Sequence, residues 1–69
     1  MDPTILEDLV TKRMPFGQYK GKLICEIPEH YLIWFYRKGF PPGKLGIWLE
    51  TMYEIRLNGL TYLLDRLKK

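Results

Sequence analysis

Residues 14–24 read Met-Pro-Phe-Gly-Gln-Tyr-Lys-Gly-Lys-Leu-Ile, and no other part of this 69-residue chain combines glycines, aromatic rings and positive charge so densely. Proline favours an extended backbone in the residue before it, and glycine adopts positive φ without steric cost. Two glycines in one short stretch, Gly17 and Gly21, suit a tight reversal of the chain. The stretch therefore predicts a short β-hairpin, and we expect any working surface of the protein to lie here.

The hairpin and the residues after it carry the candidate binding side chains. Lysine and arginine release counterions from phosphates, and aromatic rings stack on bases of any sequence, so interleaved cations and rings are typical of nucleic-acid binding. Residues 12–44 contain seven basic and two acidic side chains, so we expect their cations to form one basic surface. The predicted nucleic-acid-binding residues are Lys12, Arg13, Tyr19, Lys20, Lys22, Arg37, Lys38 and Lys44.

A purely structural interpretation of the same stretch competes with the binding interpretation. Phe16 and Leu23 would then fill a hydrophobic core, and the lysines would form its solvated rim. In the binding interpretation, Phe16 instead stacks on bases beside Tyr19. Composition alone leaves both interpretations open.

The order of motifs resembles a known family. The chain reads Met-Pro-Phe-Gly-x-Tyr-Lys-Gly-Lys at residues 14–22, then Ile27-Pro28, Tyr31-Leu32-x-Trp34 and Arg-Lys-Gly-Phe-Pro at residues 37–41. It resembles a family of short bacterial proteins of unknown function labelled putative quorum-sensing-regulated virulence factor. A looser version of the pattern is similar to the small domain that follows the nuclease domain in some exonuclease X-like proteins. That second resemblance implies nucleic acid as a partner, and neither resemblance implies a catalytic activity.

Length and composition predict one small domain, residues 1–69, that is held together by packing. Hydrophobic residues make up 46% of the chain, and Trp34 and Trp48 bring large apolar areas to a small core. Cys25 alone cannot form an internal disulfide, and His30 is the only histidine. The sequence therefore predicts neither a disulfide framework nor a metal site, and we expect no cofactor.

The inventory of reactive side chains argues against catalysis. The chain has no serine, one histidine, one cysteine and eight carboxylates, and the carboxylates are not clustered as a two-metal nuclease would require. We therefore predict that the protein is not an enzyme and has no catalytic residue. Because neither a signal-peptide pattern nor an apolar run of bilayer length is present, we expect a cytoplasmic protein without a membrane partner.

Helical periodicity predicts three helices around the hairpin. The first is capped by Asp2 or Thr4 and ends near Lys12. The second starts at Ile27-Pro28 and ends at Gly39, and its lack of a polar face predicts a buried central helix with Trp34 in the core.

The third predicted helix is long and C-terminal. Apolar residues recur at three- and four-residue steps across residues 44–67, which favours a helix that continues through Asn58-Gly59 despite the turn signal there. The sequence as a whole thus predicts an α+β fold that is mostly helical.

Two functions from different classes follow. The first is a small, non-catalytic nucleic-acid-binding module that uses the basic, aromatic hairpin with DNA or RNA. The second is a protein-interaction or homodimerising module with a regulatory role and no direct nucleic-acid contact, which exposes apolar surface on the last helix and at residues 40–42. Salt dependence distinguishes the two, because phosphate contacts weaken steeply with salt and apolar contacts do not.

Overall fold

The computed structural model describes residues 3–65 and residue 67, so the predicted cap Asp2 lies outside the described residues. Four α-helices and one short 3₁₀ helix follow one another along this part of the chain. They are α1 (Pro3–Thr11), η1 (Ile24–Glu26), α2 (Glu29–Lys38), α3 (Gly43–Leu57) and α4 (Tyr62–Asp65). The Cα radius of gyration is 11.0 Å.

The predicted β-hairpin is wrong. Between α1 and η1 the chain forms a loop, residues 12–23, which we call the basic loop. A single antiparallel bridge between Arg13 and Leu23 closes it, and the described residues contain no β-strand. Two backbone hydrogen bonds beside the bridge, from Met14 N–H to Lys22 O and from Gly21 N–H to Met14 O, are both 2.8 Å long. The fold is therefore helical rather than α+β.

Local turns inside the basic loop take the amides that a hairpin would need for its ladder. The Lys20 N–H donates to Gly17 O at 3.2 Å, and the Lys22 N–H donates to Tyr19 O at 3.0 Å. Pro15 has no N–H to contribute to a ladder. Pairing across the loop therefore stops after one bridge.

The hydrophobic core draws side chains from every helix and from the basic loop. α2 packs against α3, and α1 packs against η1, α3 and α4. The buried core residues are Leu9, Met14, Ile24, Cys25, Ile27, Leu32, Phe35, Leu49, Met52, Ile55 and Leu64. Cys25 thus acts as a small hydrophobic residue of the core.

The expectation of a buried central helix is also wrong. α2 begins and ends as predicted, after Pro28 and at Gly39, whose φ is 101°. Its buried side chains are Leu32 and Phe35, whereas Trp34 is 49% exposed. α3 is the helix that packs along α2, and among the residues that the structure describes no further helix covers the opposite face.

The last helix breaks where the sequence prediction had continued it. α3 ends at Leu57, and Gly59 adopts a φ of 67°. The Gly59 N–H donates to Arg56 O at 3.2 Å and the Leu60 N–H to Ile55 O at 2.8 Å, which is the paired bonding of a Schellman C-cap. Leu60 also packs against the core, so the apolar stripe continues although the helix does not.

Two side-chain hydrogen bonds fasten α3 to earlier parts of the chain. Trp48 Nε1–H donates to Asp8 Oδ2 of α1 at 3.2 Å, and Arg56 Nη2–H donates to the Cys25 carbonyl of η1 at 3.1 Å. Both bonds help to hold α1 and η1 in place, and η1 leads directly into α2.

Candidate nucleic-acid interface

The basic loop owes its shape to two glycines and one arginine. Gly17 and Gly21 have φ values of 81° and 89°, which other residues adopt only with strain. The Arg13 guanidinium donates from Nη1 to the Gly21 carbonyl at 2.7 Å across the loop. Arg13, predicted as a phosphate contact, therefore also has a structural role.

Three aromatic rings lie next to one another where the basic loop meets α2. The ring of Tyr19 makes an edge contact with Tyr31, with centroids 4.8 Å apart. Tyr31 in turn lies parallel to Trp34, at an interplanar angle of 6° and a centroid distance of 5.9 Å. We call Tyr19, Tyr31 and Trp34 the aromatic row.

Close contacts hold the basic loop against the start of α2. The Tyr19 hydroxyl lies 3.3 Å from His30 Nε2, within hydrogen-bonding distance. A Cβ atom built on Gly17 would lie 2.7 Å from the Tyr31 hydroxyl, so a larger residue there would have to displace the end of that side chain. His30 itself is exposed.

The predicted cations fall into two groups at either end of the aromatic row. Lys12, Arg13, Lys20 and Lys22 are exposed on the basic loop, the segment that also carries Tyr19. Arg37 and Lys38 are exposed three and four residues after Trp34, which places them one helical turn beyond its ring.

Lys44 lies elsewhere. It lines a groove of about 230 Å³ between α1 and α3, together with Thr4, Ile5, Asp8, Ile47 and Trp48. An acid therefore shares its surroundings, and no contact connects Lys44 with the aromatic row. Its role in binding stays a prediction.

The structure separates Phe16 from Leu23, the two residues that the structural interpretation placed in the core. The Phe16 side chain is 47% exposed, whereas Leu23 is half-buried and packs against the core. Phe16 therefore does not fill the core, and its ring is accessible to solvent.

The exposed positive charges remain available to a ligand. Among the described residues, arginine side chains hydrogen-bond to the backbone carbonyls of Gly21 and Cys25, and no lysine side chain makes a hydrogen bond. No group of His, Cys, Asp and Glu side chains in this part of the chain could hold a metal ion. What the surface offers is thus ionic attraction and stacking.

The sequence interpretation missed two members of the aromatic row. Tyr31 and Trp34 were expected in a buried helix because residues 31–36 are all apolar or aromatic. Their three-residue spacing, continued by Lys38 four residues later, was the available signal, since these positions share one helix face.

The described residues define a small helical protein with a basic loop and an aromatic row in which Trp34 is exposed and Tyr19 and Tyr31 are half-buried. The chain belongs to the family described as "Putative quorum-sensing-regulated virulence factor", which matches residues 2–67. This confirms the expected family.

Two curated relatives are similar over nearly their whole length. Both are named uncharacterized protein YpeB, one from Escherichia coli strain K12 and one from Escherichia coli O157:H7, and each is 43% identical over 70 residues. The alignment covers 100% of this chain and 97% of each relative. No solved structure matches the chain.

Within the described part of the chain, no helix has the length and apolarity needed to cross a membrane.

Proposed function

We propose that this chain is a small, non-catalytic nucleic-acid-binding protein that acts in the cytoplasm as a single domain. Its binding surface consists of the basic loop and the face of α2 that carries Tyr31 and Trp34. The observation that supports the proposal is the aromatic row flanked at both ends by exposed cations. Isolated exposed rings are common, but neighbouring rings with cations on either side are what a phosphate backbone and its bases require.

The cations and the rings have different tasks in this proposal. Lys20, Lys22, Arg37 and Lys38 neutralise phosphates, which gives affinity without sequence preference. Tyr19 and Trp34 contribute stacking surface, and Phe16 adds a further ring on the basic loop. Arg13 keeps the loop closed through its bond to the Gly21 carbonyl.

The test of this function is the salt dependence of binding. Lys20→Ala combined with Lys22→Ala should weaken binding and reduce the slope of log affinity against log salt by about 1 to 2, since two phosphate contacts are lost. Fold should be preserved, because both side chains are exposed and make no hydrogen bond. Binding titrations at several salt concentrations, with circular dichroism of each variant, measure both effects.

A matched variant controls for net charge. The double lysine variant lowers the formal net charge from +3 to +1, and Ile47→Glu with Thr61→Glu makes the same change at exposed positions outside the basic loop and α2. The control should keep the wild-type salt slope. Equal slopes for the lysine variant and wild type would contradict the assignment of these lysines, and no binding of wild type to any nucleic acid would contradict the function.

The alternative function is a protein-interaction or homodimerising module. It draws on exposed apolar side chains of α3 and α4, among them Ile47, Leu57 and Tyr62, which are 52%, 64% and 57% exposed. The Phe40-Pro41-Pro42 turn contributes less than the sequence suggested, because Phe40 packs against the core. Salt-insensitive self-association in sedimentation experiments, without nucleic-acid binding, would favour this alternative.

A further inference from the structure

We infer that the ligand is single-stranded nucleic acid, DNA or RNA, whose unpaired bases stack on the aromatic row. This inference rests on the proposed function and adds the state of the strand. The first observation behind it is the accessibility of Trp34. About half of its indole remains exposed although the ring also contacts Tyr31 and Phe35, so surface is left for one more flat partner.

Duplex nucleic acid offers no such partner. Its bases already stack on one another, and a protein reaches only their edges in the grooves. Edges are read by hydrogen-bonding side chains such as arginine, asparagine and glutamine, whereas this face of α2 presents the rings of Tyr31 and Trp34. A half-exposed indole beside a parallel tyrosine fits the face of an unpaired base instead.

The positions of the cations agree with one strand running along α2. From Tyr31 to Lys38 the helix rises roughly 10 Å at 1.5 Å per residue. The basic loop lies at the near end of this interval, and Arg37 and Lys38 lie at the far end. A strand that places bases on the aromatic row would thus bring phosphates to both groups of cations, and its bases would be bound with little sequence preference.

The experiment compares strands and rings in the full chain. Fluorescently labelled DNA and RNA strands of about 12 nucleotides, a length within the site sizes of known single-strand binders, are titrated alone and as duplexes. The variants are Trp34→Leu, which removes the ring, and Trp34→Phe, which keeps one. Tyr36→Leu is the matched control, because Tyr36 is an exposed ring of the same helix that stacks on Tyr53 of α3, away from the aromatic row.

We expect wild type to bind single strands more tightly than duplexes. Trp34→Leu should weaken single-strand binding by about 5- to 150-fold, the loss typical of one stacked base. Trp34→Phe should retain most of the affinity, and Tyr36→Leu should match wild type. Binding of either DNA or RNA single strands supports the inference, and the difference between the two affinities shows which sugar is preferred.

The contrary outcomes separate the inference from the function. Duplexes that bind as tightly as single strands, or single-strand affinities that Trp34→Leu and Tyr36→Leu change equally, would overturn the inference while nucleic-acid binding itself stands. If no strand or duplex binds at all, both the inference and the proposed function are overturned. Circular dichroism of each variant confirms that the helices remain folded.

Discussion

Trp34 connects the fold with the proposed function, because it is a large apolar residue that the core leaves half uncovered. Leu32 and Phe35 of the same helix are buried, so α2 has one side for the core and one for solvent. Parallel stacking with Tyr31 fixes the orientation of the indole without burying it. Trp34 should therefore contribute more to contacts at the protein surface than to the stability of the fold.

Stability measurements should separate Trp34 from the core residues of α2. Trp34→Leu should lower the free energy of unfolding by about 1 kcal/mol or less, since half of the ring is already solvated. Leu32→Ala should cost about 2 to 5 kcal/mol, because Leu32 is fully buried and the substitution leaves a cavity. Urea denaturation of both variants measures the difference. Equal losses would show that Trp34 belongs to the core after all.

Gly21 is the residue that the shape of the basic loop needs most directly. Gly21→Val should cost about 1 to 3 kcal/mol, because a β-branched residue is strained at a φ of 89°. The space around the glycine is open, so the cost is one of backbone conformation and not of collision. Thermal unfolding of the variant measures it.

Gln18→Val provides the comparison for Gly21→Val. Gln18 is exposed in the same loop, and no residue other than glycine has a positive φ in the described chain. A valine there should leave stability nearly unchanged. Similar losses for both variants would mean that the loop responds to β-branching in general.

At the scale of elements, the Schellman cap after α3 decides where the C-terminal segment turns. Gly59→Ala should destabilise the protein by about 1 kcal/mol, because the left-handed backbone conformation is strained for alanine, whereas glycine adopts it freely. Leu57→Ala, at an exposed helical position two residues earlier, should change stability little. Thermal melts of the two variants test this. A Gly59→Ala variant as stable as wild type would indicate that α3 and α4 can join into one helix.

The helices and the basic loop also show how much of the fold the sequence alone could predict. The bounds of α2 follow from a proline and a glycine, which act locally, and the predicted bounds of α1 and α2 were close. The hairpin prediction was wrong because backbone amides of the loop hydrogen-bond within turns. The prediction of a continuous last helix was wrong because Leu60 reaches the core after a break in the helix. Periodicity reports which residues are apolar, and it cannot say whether the backbone between them stays helical.

The candidate site could also be predicted only in part from the sequence. The exposed cations of the basic loop and of the end of α2 were found from charge alone. The aromatic row was not, since the sequence does not reveal which side of an apolar helix lacks a neighbour. Two long-range bonds, Trp48 to Asp8 and Arg56 to Cys25, were likewise invisible to local patterns.

At the scale of the whole molecule, the distribution of charge and rings matters more than their totals. A net charge of +3 is modest, but the basic loop and the end of α2 concentrate cations around one row of rings. The other tryptophan, Trp48, is half-buried and donates to Asp8 Oδ2. The two indoles therefore sit in contrasting surroundings, which provides an internal comparison within a single sample.

Nuclear magnetic resonance of the labelled protein during addition of a single-stranded oligonucleotide tests most directly whether nucleic acid binds at the aromatic row. Binding there should shift the signals of the Trp34 indole N–H and of the backbone amides of Tyr19, Lys20 and Lys22 together. The signal of the Trp48 indole N–H, which donates to Asp8 Oδ2 at 3.2 Å, should not shift. Shifts confined to the groove between α1 and α3 or to Tyr62, or a spectrum that does not change, would contradict binding at the aromatic row.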